Sequence, residues 1–222
     1  VSIEQQRFDM GDAPGKYPTL LAQDGARHIV DPTFGFGVLT DTEVDGQPDP
    51  DALGDDLNPP TADDEDGITF LTDIEPGKTA SIRVVFRAPG ATTPGFGFMN
   101  AWMDFNRNES WADAGEQIFT NRQIFSGVST QTFLVPTSAS PGTTFARFRV
   151  SRQGGQGIGG LAADGEVEDY KVSIVQLLDF GDAPPPYPTL LANNGARHLT
   201  QRDYNLGSRL DAEPDGQPSG AA

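Results

Sequence analysis

The chain contains no cysteine among its 222 residues. Disulfide bonds, thiolate zinc sites and cysteine nucleophiles are therefore excluded. Histidine occurs only as His28 and His198, which is too few for a histidine-rich transition-metal site. No stretch approaches the roughly 18 uncharged apolar residues of a membrane-spanning helix, and no signal-peptide pattern is seen. We therefore expect no direct insertion into a membrane.

Basic residues are also scarce. The sequence has 15 Lys and Arg against 32 Asp and Glu, which gives a formal net charge of −17. Nucleic acids and anionic membrane surfaces require a basic face, so neither is an expected partner. Carboxylates in such numbers repel one another unless they are spread over solvent or bind cations. This composition suits a secreted protein at a bacterial cell surface, where calcium can replace disulfides.

The sequence has no convincing helical pattern, and the regular pattern that it does have is that of strands. Apolar and polar residues alternate with period two in three segments, 82–87, 146–150 and 169–174. Further strands are expected near 67–71, 96–104, 116–125 and 129–136. About seven short strands are typical of an immunoglobulin-like antiparallel β-sandwich, and 26 Gly and 18 Pro supply its turns. The sequence therefore predicts an all-β fold.

One stretch of the sequence occurs twice. Residues 9–28 read DMGDAPGKYPTLLAQDGARH, and residues 179–198 read DFGDAPPPYPTLLANNGARH without a gap. This spacing predicts a tandem array, and arrays are more often extended scaffolds than enzymes. We interpret each copy as an interdomain clasp anchored by Tyr17 or Tyr187 and by its pair of leucines. The predicted organisation is the end of a preceding repeat (1–7), an acidic linker (8–65), the sandwich (66–176) and the linker of a next, truncated repeat (177–222).

The segment 104–116 is the first candidate for chemistry. Oxygen-bearing side chains recur at i, i+2 and i+4 and are followed by further acids, so a tight loop could point several oxygens inward. Calcium takes about six to eight oxygen ligands, which this loop could supply. The spacing differs from that of an EF-hand, and the predicted flanks are strands. A solvated polar hairpin loop is the alternative. The candidate calcium ligands are Asp104, Asn106, Asn108, Asp113 and Glu116.

Two further acidic sets are candidates. Asp64 and Asp66 lie just before the first strand of the sandwich and could form a site between repeats together with Asp9 and Asp12. The alternative is an ordinary solvated charge run.

Glu166 and Glu168 form the second of these sets. Strand alternation places them on the same face as Tyr170, toward the core. Carboxylates there need a cation or basic partners, and Arg147 and Arg149 are the alternative to a metal ion.

These residues carry a resemblance. The runs Trp102-Met103-Asp104-Phe105-Asn106 and Gly165-Glu166-Val167-Glu168-Asp169-Tyr170, together with Trp111 and Gly115-Glu116, resemble the GEVED domain of bacterial surface proteins. The resemblance implies a secreted, tandemly repeated β-sandwich in large adhesin-like proteins that binds calcium. The family loop commonly reads Asp-x-Asn-x-Asp-Gly, whereas this one has Asn108-Glu109. The difference removes one formal charge from the ligand set.

No catalytic pattern accompanies these features. Gly155–Gly160 matches G-x-G-x-x-G, but no helix pattern follows it, so a flexible hairpin loop is expected instead. No nucleophile elbow or histidine metal motif is present, so we predict no enzyme. A distant third possibility is a hydrolytic module or one that cleaves itself at the labile bonds Asp31-Pro32 and Asp49-Pro50.

The sequence-based hypothesis is a calcium-stabilised extender or stalk module of a bacterial adhesin or extracellular fibre. Its expected partners are adjacent repeats of the same polypeptide or identical subunits in a linear array. The alternative is a module that binds cell-surface glycan or protein through exposed aromatic side chains. Its candidate residues are Phe96, Trp102, Trp111 and Tyr170.

Overall fold

The computed structural model describes residues 8–54, 65–90, 95–175, 178–200, 212–213 and 215–220. Asp64 and the predicted end of a preceding repeat at 1–7 lie outside them. The chain forms two compact units, Val1–Ile174 and Val175–Ala222. The regular elements of the described residues are β-strands and the short 3₁₀ turns Leu21–Gln23 and Leu191–Asn193. No helix in these ranges is long and apolar enough to span a membrane.

The strands are numbered in chain order. They are β1 (Asp9–Met10), β2 (Arg27–His28), β3 (Gly35–Phe36), β4 (Ile68–Phe70), β5 (Thr79–Arg87), β6 (Phe96–Met103), β7 (Gln117–Phe125), β8 (Gly127–Leu134), β9 (Gly142–Ser151), β10 (Leu161–Ala162), β11 (Glu166–Ile174), β12 (Leu178–Phe180) and β13 (Arg197–Leu199).

The first unit is built on two antiparallel four-stranded sheets. One has the order β11-β9-β6-β7, and in the other β5 pairs with β8 and with β3 and β4. Alternate residues of both sheets, such as Ile82 and Val84 on β5 and Phe148 and Val150 on β9, are buried in one hydrophobic cluster. Burying one face of each strand is what stabilises a sandwich. The predicted all-β sandwich is confirmed, with strands in each of the seven predicted segments.

A second layer covers the outer face of the sheet that contains β9. β1 pairs antiparallel with β2, and β2 pairs parallel with β10, so two strands of the first duplicated copy form a small three-stranded sheet with β10. Tyr17 packs with Ala13, Trp102 and Trp111 in a second hydrophobic cluster. Tyr17 is 1% exposed, as expected for an anchor. Of the two leucines, Leu20 is partly buried and Leu21 is 39% exposed.

The second unit contains the second copy. β12 pairs antiparallel with β13, and Asp179 lies opposite His198, as Asp9 lies opposite His28 in the first copy. Between β12 and β13 the chain turns through Leu191–Asn193, at the position that Leu21–Gln23 takes in the first copy. The two copies therefore share one local fold.

Candidate functional site

Two arginines are buried on the outer face of β9. Phe148 and Val150 point into the core, so Arg147 and Arg149 point away from it, yet they are only 0% and 1% exposed. Residues 9–28 and the loop before β10 cover them. Such burial of guanidinium groups requires that nearly every N–H find an acceptor.

Arg147 forms a fork-shaped ion pair with Asp169, which lies directly opposite it on β11. Nε donates to Oδ1 at 2.7 Å, and Nη2 donates to Oδ2 at 2.6 Å. Nη1 donates to the carbonyls of Pro18 and Ile158. The guanidinium also lies 4.6 Å from the centre of the Trp111 ring. Arg147 thus connects the sandwich to the first copy through the Pro18 carbonyl, while its charge is balanced within the sandwich by Asp169.

Arg149 is surrounded by neutral acceptors. It donates to His28 Nε2 at 3.0 Å and to the carbonyl oxygens of Gly157, Gly159 and Gly160 at 2.6–2.8 Å. The glycine-rich loop that resembles a nucleotide motif therefore serves as a carbonyl cradle for a buried cation. Burial, reinforced by the charge of Arg149, lowers the pKa of His28 well below its usual value.

Tyr17 links the first copy to the candidate calcium loop. Its ring stacks on Trp111 with centroids 4.2 Å apart, and its hydroxyl donates to Asp104 Oδ2 at 2.7 Å. Burial raises the pKa of the Tyr17 hydroxyl, and the bond to Asp104 raises it further. Trp111 donates to the Phe145 carbonyl at 3.0 Å, which fixes the ring on the sheet.

Asp104 organises the loop that follows it. Besides Tyr17, its carboxylate accepts the backbone N–H groups of Arg107, Asn108 and Glu109 at 2.6–3.2 Å. Arg107 and Glu109 have positive φ angles of 61° and 66°, which turn these N–H groups toward one point. The four lone-pair directions of the carboxylate are thus used. In this arrangement Asp104 shapes the loop.

Asn106, Asn108 and Asp113 lie together at the exposed end of the loop. Both amide groups donate to Asp113 Oδ2, at 2.9 Å and 2.7 Å. These bonds lower the pKa of Asp113. Each amide carries its oxygen on the same carbon as the donating nitrogen, so a rotation would present oxygen instead.

Glu116 lies at the buried end of the loop and is 2% exposed. Its Oε1 accepts the Asn106 N–H at 3.4 Å, whereas its Oε2 is buried and has no hydrogen-bond partner in the part of the chain that the structure describes. Burial, with the nearby charges of Asp104 and Asp113, raises the pKa of Glu116 to about 7. A buried carboxylate oxygen without a donor is costly unless a proton or a cation reaches it.

Glu166 and Glu168 lie on the core side of β11, as alternation predicts, and are at most 1% exposed. Phe36 N–H donates to Glu166, and Gly67 N–H donates to Glu168 at 2.9 Å. The alternative that Arg147 and Arg149 neutralise them is wrong, because both arginines lie on the opposite face of the sheet. Tyr170 donates its hydroxyl to Glu168 at 3.0 Å.

The remaining candidate acids hold backbone segments together. Asp9 accepts the N–H of Val167 on β11 at 2.6 Å, and Asp12 accepts that of Gly54 at 2.7 Å. Asp66 accepts the N–H of Val38. Across the described ranges, no three Asp, Glu or His side chains form a group that could hold a metal ion by themselves. The one set that the fold gathers is the loop 104–116, whose amide groups could complete a ligand set.

Of the aromatic side chains predicted to be exposed for ligand binding, Phe96 alone is exposed. Trp102 and Trp111 are buried, and Tyr170 lies mostly inside, next to the core. Phe96 is 48% exposed, and it contacts Phe125, which is 54% exposed. A surface aromatic patch therefore exists, at the β6–β7 edge of the sandwich.

A family model matches the central part of the chain. Residues 98–173 match the model of the GEVED domain. The predicted resemblance is confirmed for this segment, which runs from β6 to β11 and so contains the 104–116 loop and the Arg147–Asp169 pair. The GEVED-matched segment excludes the first copy that covers it.

Among solved structures, the CARDB domain of a Pyrococcus furiosus protein, determined in complex with di-metal ions, is similar over 49% of this chain and 84% of that chain. The two are 15% identical, with a TM-score of 0.30, and this likeness carries no functional inference here. No curated protein sequence matches the chain.

Proposed function

We propose that the chain is a calcium-stabilised structural module of a secreted bacterial surface protein, an extender in an adhesin or extracellular fibre. The module is a GEVED-type sandwich with its preceding segment packed against it. It carries out no catalysis in this proposal. Its partners are adjacent repeats of the same polypeptide or identical subunits in a linear array.

The observation that carries the calcium part is the buried carboxylate of Glu116. One of its oxygens has a single long hydrogen bond and the other has none in the described structure. Asp113, Asn106 and Asn108 stand beside it with four further side-chain oxygens, and calcium prefers such mixed carboxylate and amide oxygens. Asp104, held by Tyr17 and backbone N–H groups, would keep the loop in shape.

The extender part is supported by the way the first copy is bound. A linker that only connected two domains would need few buried contacts. Here Tyr17 and His28 are buried, and Arg147 and Arg149 are enclosed by the covering segment. In this proposal the sandwich and residues 9–28 act as one rigid body, as a stalk that must not bend at every joint requires.

Calcium removal tests the proposal. Metal bound only to the folded state stabilises it by mass action, so excess EGTA should lower the melting temperature and added calcium should restore it. Magnesium should restore less, because it demands a more rigid octahedral site. An identical melting curve in EGTA and calcium, with no metal in the purified protein, would refute the calcium assignment.

Matched variants locate the site. Glu116→Gln keeps the size of the side chain but removes the charge, and we expect it to abolish the calcium-dependent shift in melting temperature. Glu109→Gln changes an exposed acid of the same loop that pairs with Lys16, and it should leave the shift intact. If both variants keep the full shift, calcium binds elsewhere.

The exposed contact between Phe96 and Phe125 supports a second candidate function, binding of a glycan or protein ligand. Aromatic faces at a surface are suited to stacking on sugar rings. A glycan array probed with the unaltered chain and with Phe125→Ala should show hits that the variant loses; an array without hits counts against this function.

A further inference from the structure

The two duplicated copies fold alike internally, down to individual hydrogen bonds. In each, a threonine hydroxyl closes the same turn, and an aspartate 24 residues further along the chain accepts the first N–H of the same 3₁₀ turn. The equivalent bonds are Thr19 to the Ala13 carbonyl and Thr189 to the Ala183 carbonyl, then Leu21 N–H to Asp45 and Leu191 N–H to Asp215.

The copies differ in what covers their outward side chains. Tyr17 is 1% exposed and His28 is 0% exposed, because both are buried against the sandwich. Their counterparts Tyr187 and His198 are exposed, Tyr187 by 66%. The second copy therefore presents to solvent the side chains that the first copy uses to bind a sandwich.

A glycine makes the same point independently. A Cβ on Gly11 would lie 2.4 Å from Asp169 Oδ2 and 2.7 Å from Arg147 Nη2, so only glycine lets the first copy approach this ion pair. Gly181 occupies the equivalent position, and a Cβ there would meet nothing within 4 Å among the residues that the structure describes. Its φ angle is not in the left-handed region either. Nothing within the second copy requires glycine at this position.

Other glycines of the repeat behave differently. A Cβ on Gly25 would lie 2.1 Å from the Thr19 carbonyl oxygen, and one on Gly195 would lie 2.0 Å from that of Thr189. These glycines are required by the internal turn in both copies. Gly11 and Gly181 thus mark a requirement for docking, separate from the requirement for folding.

We propose that residues 179–198 bind the sandwich of a second copy of this chain, in the place that residues 9–28 occupy on their own sandwich. The surface bound, which we call the docking face, consists of Trp111, Arg147, Arg149, Val167 and Asp169. This inference deepens the proposed role as an array module and rests on it. Tyr187 would stack on Trp111, and His198 would accept from Arg149.

The contact would be heterologous, because the docking segment and the docking face are different surfaces of one chain. Such contacts generate head-to-tail series. In the unaltered chain the docking face is already held by residues 9–28, which compete at the high effective concentration of a tethered segment. Displacing the first copy should therefore reveal the activity of the second.

Gly11→Val in the full chain provides the displacement, since its side chain would overlap Asp169 and Arg147. We expect this variant to associate, with a weight-average mass in sedimentation that rises with concentration to at least twice that of the monomer. Gly11→Val with Gly181→Val should remain monomeric. Gly11→Val with Leu191→Ala should associate as before, because Leu21 stays exposed in the docked first copy.

Two results would overturn the proposal. One is a Gly11→Val variant that stays monomeric at every concentration, and the other is undiminished association of the double glycine variant. Hydrogen exchange of the backbone amides of β5 and β8, which pair in the sheet that does not carry the docking face, reports whether the sandwich of each variant is intact. The calcium proposal is tested on the unaltered chain by melting, so either proposal can fail without the other.

A cross-linking measurement covers the case in which Gly11→Val does not fold. A chain carrying the photoreactive residue benzoylphenylalanine at position 187 is mixed at high concentration with isotope-labelled His28→Gln chain, in which the loss of the His28–Arg149 contact weakens the hold of residues 9–28 on the docking face. Cross-links between the two isotopic forms at peptides containing Trp111 or Arg147 are expected. Their absence would contradict the proposal, as would equal yields from the same probe placed at Leu134, an exposed position on β8.

Discussion

Arg149 donates a hydrogen bond from Nε to Nε2 of His28 across 3.0 Å in the buried layer between the sandwich and the first copy. The accepting nitrogen must lack a proton. The other ring nitrogen, Nδ1, lies 2.7 Å from the Asp164 carbonyl, which can only accept, so Nδ1 carries the hydrogen. The packing of this layer therefore requires one neutral tautomer of one histidine.

This requirement makes stability depend on pH. Burial and the charge of Arg149 lower the pKa of His28 in the folded state well below its usual value of about 6.5. Below about pH 6.5, His28 takes up a proton in the unfolded chain but stays neutral in the folded chain. The stability that His28 contributes above about pH 6.5 is therefore lost as the pH falls. The expected slope from this group is about 1.4 kcal/mol per pH unit.

Thermal melting between about pH 5 and about pH 8 checks the slope. His28→Gln should be less stable at neutral pH but should lose this dependence on pH. His198→Gln is the matched control, since its side chain is exposed in the second copy, and it should melt like the unaltered chain. A His28→Gln variant with the full acidic slope would assign the effect to other groups.

The ion pair between Arg147 and Asp169 predicts a large single-site effect. Both side chains are 0% exposed, and Asp169 also accepts the N–H of Ala13 at 2.9 Å. Asp169→Asn would leave the guanidinium buried without its counter-charge. We expect the free energy of unfolding to fall by about 3–5 kcal/mol in urea denaturation.

An exposed ion pair on the same strand is the control. Lys171 pairs with Asp51, and their side chains are 42% and 58% exposed. Asp51→Asn should change the free energy of unfolding by less than about 1 kcal/mol. If Asp169→Asn lowered the free energy of unfolding no more than Asp51→Asn does, the buried pair would contribute no more than an exposed one, and the prediction would be wrong.

Glu116 predicts opposite responses to pH with and without calcium. Its folded-state pKa of about 7 lies above the usual value for Glu, so the protonated form is the one that the metal-free fold favours. Without calcium, that stability is present at low pH and is lost as the pH rises through about 7. Calcium needs the ionised carboxylate, so its effect should instead grow with pH.

Thermal melting in EGTA and in calcium at pH values on both sides of about 7 separates the metal-free response from the calcium-bound response. In EGTA, Glu116→Gln should gain a few degrees on the unaltered chain as the pH rises, because an amide does not ionise. In calcium the order should reverse above about pH 7. A constant difference between the two proteins at every pH would contradict the assignment to Glu116.

Much of the sandwich follows from local pattern. Alternation at 82–87 predicted β5, and alternation at 166–170 placed Glu166 and Glu168 toward the core, because period two alone decides which face a side chain takes. The spacing of oxygen-bearing residues after Asp104 likewise found the loop that the fold gathers around Glu116. These features depend on residues close together in the chain.

The covering layer could not be read in this way. Alternation directs Arg147 and Arg149 away from the core, which normally means toward water, and nothing near them in sequence shows that residues 9–28 bury them. His28 reaches Arg149 across 121 positions. The pairing of Arg147 with Asp169 could have been predicted from the strand register, since the two side chains lie on the same face of the sheet. The duplicated stretch, in contrast, does not show which of its two copies packs on the sandwich.

The duplication supplies an internal control for the anchor Tyr17. Its hydroxyl is buried and donates to the Asp104 carboxylate at 2.7 Å, a charge-assisted hydrogen bond. Tyr17→Phe keeps the stacking on Trp111 and removes that bond, so we expect a loss of about 1.5–3 kcal/mol in the free energy of unfolding. Tyr187→Phe makes the same chemical change where the ring is 66% exposed, and it should have no measurable effect on urea denaturation.

The two tyrosine substitutions should also differ in their effect on calcium binding. Loss of the Tyr17 hydroxyl leaves Asp104 held by backbone N–H groups alone, so the loop that presents Glu116 becomes less well ordered. We expect Tyr17→Phe to weaken calcium binding severalfold in calorimetric titration, with Tyr187→Phe unchanged. Unaltered calcium affinity in Tyr17→Phe would separate the anchor from the loop and confine the role of Tyr17 to holding the first copy on the sandwich.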